Sequence, residues 1–87
     1  MKTLGELLKK GRSTSGLSQK DVADKLGYSS SQFISNWERN ISMPPANTLK
    51  KLSGLYDLPT DLLLNAVSTN AANIARKKYA EKFERAQ

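Results

Sequence analysis

The side chains that carry the most chemistry in this sequence are small, polar and uncharged. Ser31, Gln32, Ser35 and Asn36 recur at spacings of three and four, so a helix here gathers hydroxyls and carboxamides along one side. Each of these groups both donates and accepts hydrogen bonds. Serine and asparagine are poor interior helix formers, so this face lowers helix stability without a visible structural return. A partner with a fixed pattern of donors and acceptors is what such a face suits. The other side of the stretch carries Ile34 and Trp37, three apart, which are expected to face a core. Other chemistry is restricted. The chain has no histidine and no cysteine. It therefore lacks the usual general base, the commonest metal ligand, thiolate metal sites and disulfides. No metal, no cofactor, no small-molecule ligand and no enzymatic activity are expected.

Eighty-seven residues make one domain with at most one appended element. A chain of this size buries only roughly 60 per cent of its unfolded surface, which leaves a thin stability margin. The formal charge is +6, from 14 Lys and Arg against 8 Asp and Glu. Residues 70–87 hold five basic and two acidic side chains, so half of the excess lies in the last fifth of the chain. That balance suits a phosphate backbone, although a merely solvated tail has the same composition. The N-terminus has no apolar signal region, and no apolar run approaches the ~20 residues that span a bilayer. A cytoplasmic protein without membrane contact is expected.

The polar face must be positioned by the elements around it. Thr3 and Glu6 form a T-x-x-E capping box that starts a first helix at Leu4, with Leu4, Leu7, Leu8 and Gly11 at helical spacing. Gly5 and Gly11 weaken it and suggest close approach of a neighbour. After the loop Ser13-Thr14-Ser15-Gly16, Ser18 and Asp21 cap a second helix, with Leu17 stapled on Val22. Val22, Ala23 and Leu26 form its inward face, and Gly27 ends it in a left-handed conformation. Ser30 is the expected cap of a third helix running to about Arg39, and Asn40 turns the chain. Pro45 suits the first turn of a fourth helix built on Leu49, Leu52, Leu55 and Tyr56. A fifth begins at Pro59 or Thr60. Ser68-Thr69-Asn70 reads as a hinge, followed by a tail helix from about Ala71 to Arg85. The fold class is all-α, five short helices plus a C-terminal amphipathic helix.

In this order and spacing, LGELLKKGR, GLSQKDVADKLG, FISNWERN and PPANTLKKLSGLYDLPTDLL resemble the successive helices of the Xre family. These are the helix-turn-helix domains of Cro and cI-type phage repressors, and the likeness covers residues 4–64. It implies a lambda-repressor-like bundle. From Gly27 to Glu38 the chain is one residue longer than the common pattern. The extra residue is placed within Tyr28-Ser29-Ser30, because a shift inside the helix would remove Ile34 and Trp37 from the core. Asn40 replaces the usual glycine, Gly11 stands where an apolar residue is common, and Ile41-Ser42-Met43 lacks the basic residues of many relatives.

The resemblance implies a double-stranded DNA partner, with the third helix in the major groove. Aligned on Glu38, Ser31, Gln32, Ser35 and Asn36 fall at base-contacting positions. Gln32 and Asn36 are the strongest candidates because carboxamides can be bidentate to adenine. Phe33 lies at the edge of this face, as a core-edge aromatic or against a thymine methyl. Gln19, Ser30, Arg39, Asn40 and Ser42 are the phosphate-contact candidates, with Gln19 also propping the reading helix. Arg12 and Glu38 are expected to pair across the bundle in a structural salt bridge.

One such helix reads few bases, so the resemblance also implies a homodimer. Leu62, Leu64 and Val67 are surplus to one apolar face and are candidates for its interface, as are Ile74, Tyr79 and Phe83 on the tail helix. The division is residues 1–67 as the DNA-binding domain and 68–87 as a basic dimerisation or tail helix. The function implied is a sequence-specific transcriptional regulator, a repressor of phage, plasmid or toxin–antitoxin type. The competing reading is a protein-interaction module whose C-terminal helix holds a partner. Surface attachment to a membrane is disfavoured by the small apolar area of the tail.

Overall fold

The computed structural model describes the backbone of residues 2–85, and the side chains of residues 2–72, 74, 76 and 80. Five α-helices and no strand occur among them: α1 (Leu4–Thr14), α2 (Gln19–Leu26), α3 (Gln32–Glu38), α4 (Ala46–Leu55) and α5 (Thr60–Arg85). Local chemistry fixes several ends. Ser18 and Asp21 form a reciprocal capping box at α2. Gly27 closes α2 at φ 84°, with its N–H on Asp24 O and the Tyr28 N–H on Ala23 O. That pair of bonds is a Schellman cap, which places Tyr28 directly beyond the turn. Asn40 takes the left-handed conformation at φ 60° and turns the chain out of α3.

The core gathers Leu4 and Leu8 of α1, Val22 and Ala23 of α2, and Ile34 and Trp37 of α3. Leu49 and Leu52 of α4, Tyr56, and Leu63 and Ala66 of α5 complete it. Helix α1 packs on both α3 and α5, α2 on α3, and α4 on α5. Gly5 makes the α1–α3 contact possible. A Cβ on it would lie 2.5 Å from the Glu38 carbonyl oxygen and 2.8 Å from that of Trp37. Gly11 serves the same end against Tyr56 and Leu58, at 3.0 Å from each.

Four expectations are corrected. The hinge at Ser68-Thr69-Asn70 is absent, and α5 runs unbroken through it for 26 residues. The three residues include neither glycine nor proline, and each costs a helix at most ~0.7 kcal/mol relative to alanine. Leu63, Ala66 and Asn70 line one side of the helix at 1, 5 and 3 per cent exposure, so its inward face continues through the segment. Asn70 places its Nδ2 there without a hydrogen-bond acceptor among the described residues. Second, Ser31 rather than Ser30 occupies the N-cap position of α3. Its backbone, at φ −84° and ψ 2°, is not extended, and its hydroxyl makes no cap bond. The Ser30 hydroxyl instead accepts from the Gln32 N–H at 3.3 Å. Third, Pro45 sits one position outside α4, as its N-cap. Fourth, the box at α1 is half formed. Thr3 Oγ1 accepts from the Glu6 N–H at 3.2 Å, but the Glu6 carboxylate accepts from the threonine hydroxyl. No helix among the described residues is long and apolar enough to cross a membrane.

Candidate nucleic-acid interface

The back of α3 is fastened through one buried carboxylate. Glu38 Oε2 accepts from Arg12 Nε at 2.6 Å, and Oε1 accepts from Arg12 Nη2 at 3.1 Å. Gln19 Nε2 donates to the same Oε1 at 3.0 Å. Arg12 Nη1 donates to the Leu17 carbonyl at 2.9 Å, which ties down the turn before α2. The Glu38 side chain is 4 per cent exposed and that of Arg12 13 per cent. A carboxylate so buried needs its charge and lone pairs met, and the forked guanidinium does both. The hydrogen bond to Glu38 in turn holds the Arg12 guanidinium above its ordinary pKa. Nearby, burial and then the Glu38 charge raise the Tyr56 phenol well above its usual range. Thus α1, α2 and α3 meet at Glu38.

A second fastening lies just beyond α3. Asn40 Oδ1 accepts from the Gly5 N–H at 3.0 Å, and Asn40 Nδ2 donates to Thr3 Oγ1 at 3.1 Å. One free N–H in the first turn of α1 is thereby satisfied by a residue just beyond α3. This places the Asn40 amide against α1, although the sequence offered it as a phosphate contact.

The front of α3 is open. Gln32 is exposed, and Ser31, Ser35 and Asn36 are half-buried. Gln32 Nε2 donates to Asn36 Oδ1 at 2.9 Å, and exposed Arg39 donates to the same oxygen through Nη2 at 3.1 Å. The three side chains form one hydrogen-bonded row about two helical turns long. With Asn36 Oδ1 taken by two donors, its Nδ2 and Gln32 Oε1 remain for a partner. Arg39 adds a positive charge at the end of the row. Ser30 is exposed at its start, and half-buried Ser42 follows in the next loop.

Sequence reasoning missed Tyr28. Its ring stacks on Phe33 with centroids 5.0 Å apart and planes inclined by 31°. It meets Trp37 edge-on at 5.8 Å and 67°. The available signal was an aromatic residue directly after the glycine that ends α2, where a Schellman cap commonly makes an apolar contact.

The dimer candidates do not share one surface. Leu62 and Leu64 are 43 and 54 per cent exposed. Leu62 opens on a groove between α1 and α5 with Lys2, Leu7, Asn65 and Ala66. Leu64 opens on another between α4 and α5 with Ala46, Leu49, Lys50 and Ser53. Val67 is half-buried against the core, and Ile74 is half-buried. The side chains of Tyr79 and Phe83 lie outside the described residues. No cluster of His, Cys, Asp or Glu able to hold a metal occurs among the described residues.

A family model described as a helix-turn-helix domain matches residues 5–69. The HTH-type transcriptional regulator ImmR of Bacillus subtilis (strain 168) is 39 per cent identical over 71 residues, which is 82 per cent of this chain and 55 per cent of that protein. The chain therefore spans about half the length of this relative. No solved structure is significantly similar. The matched segment includes α2, the turn, α3 and the Arg12–Glu38–Gln19 fastening behind them, so the chain belongs to the helix-turn-helix domain family, as an Xre-like member.

Proposed function

We propose that this protein is a sequence-specific double-stranded DNA-binding regulator of transcription that reads the major groove with α3. The observation that carries the reading is the two-sidedness of α3. Ile34, Trp37 and Glu38 are buried on one side, while Gln32, Asn36 and Arg39 form a hydrogen-bonded row on the other. A rigidly held helix with an amide-rich face matches the donors and acceptors of major-groove base edges. Gln32, Asn36, Ser31 and Ser35 are the proposed base readers. Gln19, Ser30, Arg39, Asn40 and Ser42 are the proposed contacts to the phosphate backbone, Asn40 through its main chain because its amide is engaged with α1. Membership of a helix-turn-helix family and similarity to a transcriptional regulator support this reading.

The finer proposal is a homodimeric repressor on a two-fold operator, of phage, plasmid or toxin–antitoxin type. Residues 1–67 would supply the DNA contacts and 68–87 the dimerising or tail segment, although α5 crosses that boundary without a break. Exposed Leu62 or Leu64 would seed the dimer contact.

Selecting bound sequences from a random duplex pool tests the proposal. A two-fold motif is expected, with affinity falling steeply as salt rises, since each phosphate neutralised adds about 0.9 to the slope of log K against log salt. Asn36→Ala and Gln32→Ala should relax preference at individual positions, whereas Arg39→Ala weakens all sequences alike. A flat salt response with no selected motif would refute DNA reading in favour of a protein-interaction module.

A further inference from the structure

Phe33 is the one aromatic among the exposed large hydrophobic side chains of the described residues, at 53 per cent. At about 100° per residue, it stands about 60° round α3 from Asn36 and about 40° from Trp37. It therefore borders the polar row without entering the core. Its ring is not loose. It stacks on Tyr28, and Tyr28 leans on Trp37, which is 3 per cent exposed. The result is an apolar wall beside the amide row, anchored in the core, with its ordering largely met before any partner arrives. Exposing half of such a ring is unfavourable in the free protein. Among base edges in the major groove, the apolar feature that complements it is the 5-methyl group of thymine.

We propose that Phe33, braced by Tyr28, reads a thymine 5-methyl group next to the bases contacted by Gln32 and Asn36. The inference rests on the duplex-reading function above and adds a specificity-determining residue to it. Tyr28 is a positioning residue here, acting only through the ring it holds.

The test uses the duplex selected by the full chain, with each thymine replaced in turn by deoxyuridine, which removes only the methyl group. One thymine per half-site is expected to show about fourfold weaker binding as uracil, corresponding to ~0.8 kcal/mol for one buried apolar carbon. In Phe33→Ser, with its fold confirmed by circular dichroism, thymine and uracil should bind equally at that position. In Tyr28→Ala the thymine-to-uracil ratio should fall toward one at the same position while the salt slope is unchanged, which a purely structural role would not produce. Should every uracil substitution be neutral for the unaltered chain, or Phe33→Ser keep the ratio, this inference fails and the duplex reading stands on its selected motif. Should no motif emerge, both fail.

Discussion

Arg12→Met should cost about 3–5 kcal/mol of folding stability, because it leaves a buried carboxylate with too little compensation. In the native protein Glu38 receives two hydrogen bonds from Arg12 and one from Gln19. The substitution removes the charge and both guanidinium bonds, leaving one neutral amide at 3.0 Å. It also strands the Leu17 carbonyl that Arg12 Nη1 serves, a further loss of about 1 kcal/mol. Small domains have ~5–15 kcal/mol in total, so between about a quarter and all of the margin disappears. Glu38→Leu should be similarly harmful, since it leaves a largely buried guanidinium without its anion. The double variant Arg12→Met/Glu38→Leu should be more stable than either single one, because no buried charge remains and the replacements are apolar. Urea unfolding followed by Trp37 fluorescence and far-UV circular dichroism gives all three values. With a slope of ~1–2 kcal/mol/M, each single variant should lose about 2 M or more from its midpoint. Single losses below ~1 kcal/mol would place the pair with exposed salt bridges. Losses that add in the double variant within ~0.5 kcal/mol would show two independent sites. Either result refutes the view of Glu38 as the shared fastening of three helices.

Three further outcomes follow from the same geometry. Gly5→Ala should lower stability by about 1–3 kcal/mol through collision with the Trp37 and Glu38 carbonyls, outweighing a helix-propensity gain of up to ~1 kcal/mol; Gly54→Ala, where a Cβ meets open space, should raise it by ~0.5–1 kcal/mol, and urea titrations showing the same sign for both would defeat the packing account. Asn70→Leu should stabilise the fold by about 1–3 kcal/mol, since it replaces an amide whose buried Nδ2 has no acceptor among the described residues with an apolar side chain of similar size; a lowered thermal midpoint would show that the amide has a partner. The Asp21 carboxylate is held below the ordinary aspartate range by the Ser18 N–H and then its hydroxyl. Its contribution is present above the unfolded value of about 3.9 and is lost as pH falls through the lower folded value. Asp21→Asn should accordingly flatten the acid limb of the stability profile below about pH 4.

What was legible in the sequence was what neighbouring residues decide. The box of Ser18 and Asp21, the left-handed Gly27 and the turn at Asn40 depend on bonds spanning a few residues. The register of α3 was legible too, because Ile34 and Trp37 allow one inward face, and both are buried. The hinge was misread because Ser, Thr and Asn serve equally as caps and as tolerable interior residues. Only the unbroken inward face of Leu63, Ala66 and Asn70 shows which role they take here. The same limit hid the clasp at Asn40. Its bonds to Gly5 and Thr3 join residues 35 and 37 apart, and no local pattern marks such pairs. Of the candidate site, the polar row was visible from composition and spacing. Its linkage into one unit through Asn36 Oδ1 required the side-chain geometry.

That linkage bears on how binding data should be divided. Helix α3 has seven residues and no cap bond from its N-cap Ser31, and it is too short to be stable alone. Its direction is therefore set from outside. Glu38 and Asn40 hold its C-terminal end to α1 and α2, and the Tyr28–Phe33 stack steadies its N-terminal half. Changes at Arg12, Gly5 or Asn40 would tilt the whole proposed reading face and so weaken every duplex in proportion. Changes at Gln32 or Asn36 would instead alter preference among duplexes. These two amides share a hydrogen bond, so their effects on base preference should be coupled. A double-variant cycle on the selected duplex should give an interaction of ~0.5–3 kcal/mol between them, and none between either amide and Gly5. Additive effects of Gln32→Ala and Asn36→Ala would mean that each amide reads its own base pair and that their mutual bond is broken on DNA.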